Sequence, residues 1–361
     1  LTDATLKTLN RQNRWPVLKT ISKLAVESAK NPNKEDKIPK YQFEFAKTNY
    51  HQGDYAKSIT LSDIALKSAR KLDQNSLEAE ILTHIGSMYR FEGKKEKAIQ
   101  YANEAEAIAR KLGDQITISK CYFSKGKIEH GSGNFSKALE LYNKVLAMGN
   151  TKERRRAMGD RLLDLLRIRG GYGFDLEILR RGEENSIDPE ILRTKGINGF
   201  DLAKESWELM LKYAKELAST YHIIAAKARL TLIEPDIDLF EMQQAWKDDL
   251  NETILAGKKV ASITSYGELA EVLIRRKKFK ESIELCKKGE EVGKKLNNLH
   301  ARSGKAYTRG IRLIAEGKVD EAKKELDLSE KLFAKWTSPY RYWVAGTIDR
   351  LKKYINSENN S

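Results

Sequence analysis

The sequence predicts an all-α solenoid of about eight helical hairpins stacked side by side, ended by a C-terminal helix. Three observations carry this prediction. A pattern set by Gly86, Tyr89, Gly93 and Ala98 returns 40 residues later as Gly126, Glu129, Gly133 and Ala138, with Phe135 beginning the second helix of the later copy. Apolar residues recur three to four apart, the spacing that lines one face of a helix. Charged residues are 32% of the 361 and Pro only 6, which favours charge-laced helices over a sandwich or barrel.

Each element of the pattern has a physical reason. Gly inside a helix costs about 1 kcal/mol relative to Ala, so Gly86 and Gly126 recurring at mid-helix predict close helix crossings, with Ala98 and Ala138 as the small partners. Gly93 and Gly133 end the first helix where positive φ is needed. An aromatic residue or Lys, and then Ala, starts the return helix.

This arrangement resembles the tetratricopeptide repeat (TPR), whose motif places Gly or Ala, Tyr, Gly, Tyr or Phe, and Ala at these offsets. That repeat is roughly 34 residues long, whereas the step here is 40. The additional residues follow the second helix, at Lys71-Leu72-Asp73-Gln74, Lys111-Leu112-Gly113-Asp114 and Lys295-Leu296-Asn297-Asn298. Joints of this kind are similar to the long-repeat branch found in kinesin light chain, Pins-type scaffolds and the sensor regions of STAND regulators. The resemblance implies a right-handed α-α superhelix whose inner wall is an open groove for another chain.

Taken in order, residues 1–183 read as N-terminal TPR-like repeats. The first is degenerate, with Leu6, Leu9, Trp15, Leu18, Ser22 and Ala25 in register and Pro16 in the first turn of a helix, where its missing donor does no harm. Ala46, Gly53, Tyr55 and Ala65 mark a clearer copy, followed by the two best. Lys152 to Arg156 begins another helix continuing through Leu162, Leu163, Leu165 and Leu166. Arg169-Gly170-Gly171-Tyr172-Gly173 is expected to turn it, and 174–181 to return.

Across 184–261 the register weakens, and degenerate or irregular helices are expected. Ala138 and Ser282, which hold the same slot, are 144 residues apart, not a multiple of 40, so shortened repeats or a local departure must intervene. Asp188-Pro189 starts one helix by cap and first-turn proline, and Glu234-Pro235-Asp236 breaks another. Clear repeats resume over 262–337, with Ala270, Phe279, Gly310, Gly317 and Ala322. Ser338-Pro339 opens a capping helix over 338–355 with one polar side, as the end of a stack requires. Residues 356–361 read as a disordered tail.

No catalytic set emerges, and the reading is not an enzyme. The glycines at 131, 133, 170, 171 and 173 lack the Gly-Lys-Ser/Thr ending of a phosphate loop. His51, His84, His130, His222 and His300 are scattered, and Cys121 and Cys286 form no Cys-x-x-Cys pair, so no metal and no cofactor are expected. Both thiols read as small core residues. No apolar run spans a membrane and no signal-type segment follows the start, so the expectation is a cytoplasmic chain without membrane contact.

Charge is the remaining signal. The net +15 is concentrated toward both ends and the middle. One residue after the small slot of each first helix stand Lys7, Lys47, Ser87, Lys127 and Arg167, 40 apart. The TPR resemblance implies that this column faces the concave groove. Three residues on lie Asn10, Tyr50, Arg90, His130 and Gly170, neighbours on the same face, with Phe123 adding contact area.

The leading expectation is a non-catalytic scaffold or adaptor that binds an acidic or amphipathic segment of another protein through Lys7, Lys47, Tyr50, Ser87, Arg90, Phe123, Lys127, His130 and Arg167. One alternative is the sensor half of a larger transcriptional or signalling regulator. Another is nucleic-acid binding through Lys152–Arg156, Arg275–Lys278 and Arg167–Gly173, although aromatic residues do not interleave with these runs as base stacking requires. The first expectation rests on an open-ended ribbon with a free inner wall.

Overall fold

A computed structural model describes residues 5–6, 9, 15–29, 32–158, 162–171, 198–233, 238–296, 298–335, 344, 347 and 351. These residues form an all-α TPR-like solenoid, as the sequence predicts. Trp15–Ser28 (α1) is joined through a 3-10 turn, Pro32–Lys37, to the first regular hairpin, Ile38–His51 (α2) and Tyr55–Lys71 (α3). Asn75–Phe91 (α4) pairs with Lys95–Lys111 (α5), and Gln115–Gly131 (α6) with Phe135–Met148 (α7). A short helix, Lys152–Met158 (α8), precedes a helix over 162–171 (α9) and Gly199–Glu216 (α10). Thr220–Leu230 (α11), Leu239–Leu255 (α12), Lys259–Arg275 (α13), Phe279–Lys294 (α14), Leu299–Ala315 (α15) and Val319–Lys335 (α16) complete the array.

The hairpins form where the sequence supplies local stops and starts. Gly93 and Gly133 turn at φ 76° and 88°, conformations that side-chain-bearing residues avoid. Asp54 and Asp114 cap the next helices by accepting hydrogen bonds from the amides of Lys57 and Thr117. The slot that opens each second helix sits against the first: Ser58 Oγ donates to the Ala46 carbonyl and Ser282 Oγ to that of Ala270, each 12 residues back. A Cβ on Gly86 would lie 3.1 Å from the Ala98 carbonyl, so that crossing is as close as expected. At Gly126 the neighbour is instead Tyr142, one turn beyond Ala138, whose ring would be 2.5 Å from an added Cβ.

Second helices begin at Tyr55, Lys95, Phe135, Gly199, Leu239, Phe279 and Val319. Their steps are 40, 40, 64, 40, 40 and 40 residues. A single step of 64 residues therefore accounts for the break in period. It lies between α9 and α10, whose connection falls outside the described residues, as do Asp188-Pro189 and Glu234-Pro235-Asp236.

The turn expected at Arg169-Gly170-Gly171 is corrected, because α9 runs through all three. Arg169 is tied down by Ser206 Oγ at 2.7 Å, and Gly170 lies under the Trp207 indole, 2.2 Å from where its Cβ would be. Packing against α10 thus holds as helix a sequence that by itself reads as a turn. Cys121 and Cys286 are both fully buried free thiols. Most of the expected capping helix lies outside the described residues, but Val344 and Leu351 are buried in the core that holds Tyr307, Ile311 and Phe333.

The expected open ribbon is corrected as well, because the two ends of the array meet. Asn298 Nδ2 donates to the Gly53 carbonyl at 2.7 Å, and the Tyr55 hydroxyl and His300 Nδ1 share a hydrogen bond at 2.8 Å. The Gly53 turn packs on Val260, Gly257 on Pro16, and Gly93 on the Lys335 carbonyl. One apolar cluster joins Tyr55, Met88 and Phe91 to Ile311 and Phe333. Repeats far apart in sequence therefore seal against each other around a hollow. The rotation from each hairpin to the next, small in itself, accumulates along the stack.

Candidate functional site

The hollow is a cavity of about 370 Å³. The first helices of the N-terminal hairpins supply one wall: Tyr50 and His51 from α2, Arg90 and Phe91 from α4, Phe123, Lys127 and His130 from α6, and Asp164 and Arg167 from α9. The opposite wall comes from Tyr221 and Arg229 on α11, Trp246 and Asp249 on α12, Lys258 and Glu268 at and on α13, and His300 on α15. A Trp207 ring from α10 closes the side.

Of the residues singled out in the sequence, Tyr50, Arg90, Phe123, Lys127, His130 and Arg167 are brought together here. Lys47 is not: its ammonium pairs with Glu44 at 2.7 Å and lies over the Phe43 ring, away from the cavity lining. Ser87 also stays outside it, its hydroxyl donating to the Thr83 carbonyl one turn back. Lys7 and Asn10 lie outside the described residues. The column drawn from 40-residue spacing is thus split, because on a curved stack only part of each first helix reaches the hollow.

Among the described residues five cations and three carboxylates line the cavity. Arg167 faces Asp164 at 3.3 Å, and Arg229 faces Asp249 at 3.5 Å. Burial works against the Asp164 carboxylate, but the His222 hydrogen bond and the Arg167 charge outweigh it and hold its pKa well below the ordinary range. Burial likewise opposes the Arg167 charge, yet Asp164, Tyr221 and Asp249 raise its pKa further.

Lys127 is in the opposite situation. Its ammonium sits 4.3 Å from the Phe123 ring centre and forms no ion pair among the described residues. Burial, with the charges of Arg90 and Arg167, lowers its pKa to about 7 despite the attraction of Asp164. Lys258 is held similarly, 3.5 Å from the Tyr221 ring centre. A ring face steadies an ammonium without neutralising it. Burial raises the Tyr50 phenol to about 12, and this ring stacks on Tyr55 and meets the edge of His84.

The chain's similarity to known proteins follows the hairpins. Residues 42–111 match the tetratricopeptide repeat family. These span α2 from its second turn onward and the whole of α3 to α5. No curated protein sequence matches the chain. Among solved structures, the chain is similar to a signal transduction ATPase with numerous domains (STAND) that carries a tetratricopeptide repeat sensor, from Pyrococcus horikoshii. The identity is 15% and the TM-score 0.44, over 95% of this chain and 50% of that one. It is also similar to yeast Tom70, at 12% identity and TM-score 0.25, over 99% and 96% of the two chains. The chain thus spans about half the length of the STAND protein.

TPR proteins generally mediate protein–protein interaction, and the fold is typically a non-catalytic scaffold. Among the described residues no cluster of His, Cys, Asp and Glu could hold a metal ion. Nor is any described helix long and apolar enough to cross a membrane.

Besides His51, Tyr55, Phe91 and Trp207, the residues missed from sequence are those of the far wall, from Tyr221 to His300. They share no 40-residue column with Lys127 and Arg167, since the lengthened step shifts their phase. Asp164 was the exception that could have been found, since it lies three residues before Arg167 on one helix face.

Proposed function

We propose that the chain is a non-catalytic interaction module that takes an acidic segment of another protein into the central cavity. The segment enters locally and is not laid along an extended groove, because the two ends of the array are in contact. The observation that carries this reading is Lys127, a cation in a lined cavity with no carboxylate of its own chain in ion-pair contact among the described residues. Among the described residues cations still exceed carboxylates in the lining, so an incoming acid gains more attraction than it meets repulsion. Aromatic side chains around them provide contact area for the rest of the segment.

Charge reversal tests it. With the chain as bait in extracts of its own cell, Lys127→Glu together with Arg167→Glu is expected to abolish capture of the main partner, whereas Lys47→Glu leaves it intact. Equal capture by all three baits, each of wild-type helicity, would remove the cavity from the account.

A further inference from the structure

We infer that the same cavity accepts a small free acid built on a flat ring, and that this acid excludes the partner's acidic segment. The exclusion rests on the function proposed above; the binding of the small acid does not.

Three features lead to this ligand class. The first is size: about 370 Å³ lies near the lower end of the range of small-molecule sites, roughly 300–1,000 Å³. Such a volume suits one or two fused rings with a short acidic arm. The second is the lining, where the partly exposed Tyr50 ring and the buried rings of Phe123, Trp207 and Trp246, from different hairpins, border one space. Flat apolar bodies gain from stacking or edge contact with such rings.

The third feature is how the cations are held. Lys127 and Lys258 rest against ring faces, at 4.3 and 3.5 Å from the centres of Phe123 and Tyr221, and neither forms an ion pair among the described residues. Their charge is therefore positioned but not cancelled. A carboxylate reaching either ammonium would exchange water for charge-assisted hydrogen bonds. Its ring would occupy the space that an acidic side chain from a partner must cross, so both cannot bind together.

Calorimetry on the full chain with 1-naphthaleneacetate, its uncharged amide and plain acetate separates the requirements. The acid is expected to bind at one site at least tenfold more tightly than the amide, which lacks the charge, or acetate, which lacks the ring. Lys127→Met should weaken it at least tenfold and Lys47→Met should not. Lys258→Met gives a second test should the first variant unfold, and far-UV circular dichroism checks both. Equal affinity for acid and amide, or affinity unchanged in both cavity variants, would overturn the inference.

Adding 1-naphthaleneacetate to the capture experiment tests exclusion, with release of the partner expected. If capture depends on Lys127 and Arg167 while the acid does not bind, the inference falls and the proposed function stands. If the acid binds but capture ignores the charge reversals, the proposed function falls, and with it the exclusion.

Discussion

The Tyr55 hydroxyl and His300 Nδ1 lie 2.8 Å apart although 245 residues separate them. Their rings are also nearly parallel, 20° apart, and Phe91 stacks on His300 at 5°. This contact joins the second helix of the first regular hairpin to the first helix of the last.

Removing the hydroxyl tests how much that seam contributes. Tyr55→Phe keeps the ring but deprives His300 of this partner, and a cost of about 1–3 kcal/mol is expected for a buried group losing a hydrogen bond. Urea unfolding measures it. A Tyr55→Phe chain as stable as wild type would mean that the seam is held by its apolar contacts alone.

Acid should weaken the same region. Burial pushes His84 and His300 down to about 3, against an unfolded value near 6.5. Between those values the unfolded chain binds more protons, so their contribution is present above about 6.5 and is lost as pH falls through the window. The urea midpoint is expected to drop between pH 7 and pH 4.5, with a shallower slope in His300→Gln. An equal slope in that variant would place the acid sensitivity elsewhere.

Lys127 predicts a dependence of the other kind. With its pKa lowered to about 7, the empty cavity loses this charge as pH rises through neutrality. Affinity for 1-naphthaleneacetate should therefore fall between pH 6 and pH 8.5, and the fall should be smaller in Lys127→Met. The buried charge also destabilises the fold, and the penalty is full below about pH 7, where the amine is protonated in both states. Lys127→Met should accordingly raise the melting temperature more at pH 6 than at pH 9, which scanning calorimetry resolves.

Gly126 reports on packing between hairpin helices. An added Cβ would meet the Tyr142 ring at 2.5 Å, and Tyr142 is fully buried. Gly126→Ala is expected to cost about 1–3 kcal/mol through overpacking, although Ala is the better helix former. Gly171→Ala is a control, because no described residue lies within 4 Å of its Cβ position. Equal stability of the two variants would contradict the close crossing.

The hairpins were legible in the sequence because they are set by neighbours. Gly93 and Gly133 turn, Asp54 and Asp114 cap, Ser58, Ala98 and Ala138 fill slots 40 residues apart, and Ser282 fills the same slot beyond the lengthened step, all through contacts within one or two helices. Part of the candidate site was legible for the same reason: Lys127 and Arg167 stand 40 residues apart, as do Tyr50, Arg90 and His130 in the neighbouring column. Lys47 repeats too and was misplaced, since spacing gives the face of a helix but not how far along that helix the hollow extends.

The sequence by itself determined an all-helical repeat with its 40-residue period and its glycine turns. Only the tertiary structure decided that the stack closes, that Arg169-Gly170-Gly171 stays helical beneath Trp207, and that Tyr221, Trp246, Lys258 and His300 face Lys127 across one cavity. Local rules fix each hairpin, whereas closure is the sum of many small rotations and one lengthened connection. No short stretch of the chain encodes that sum.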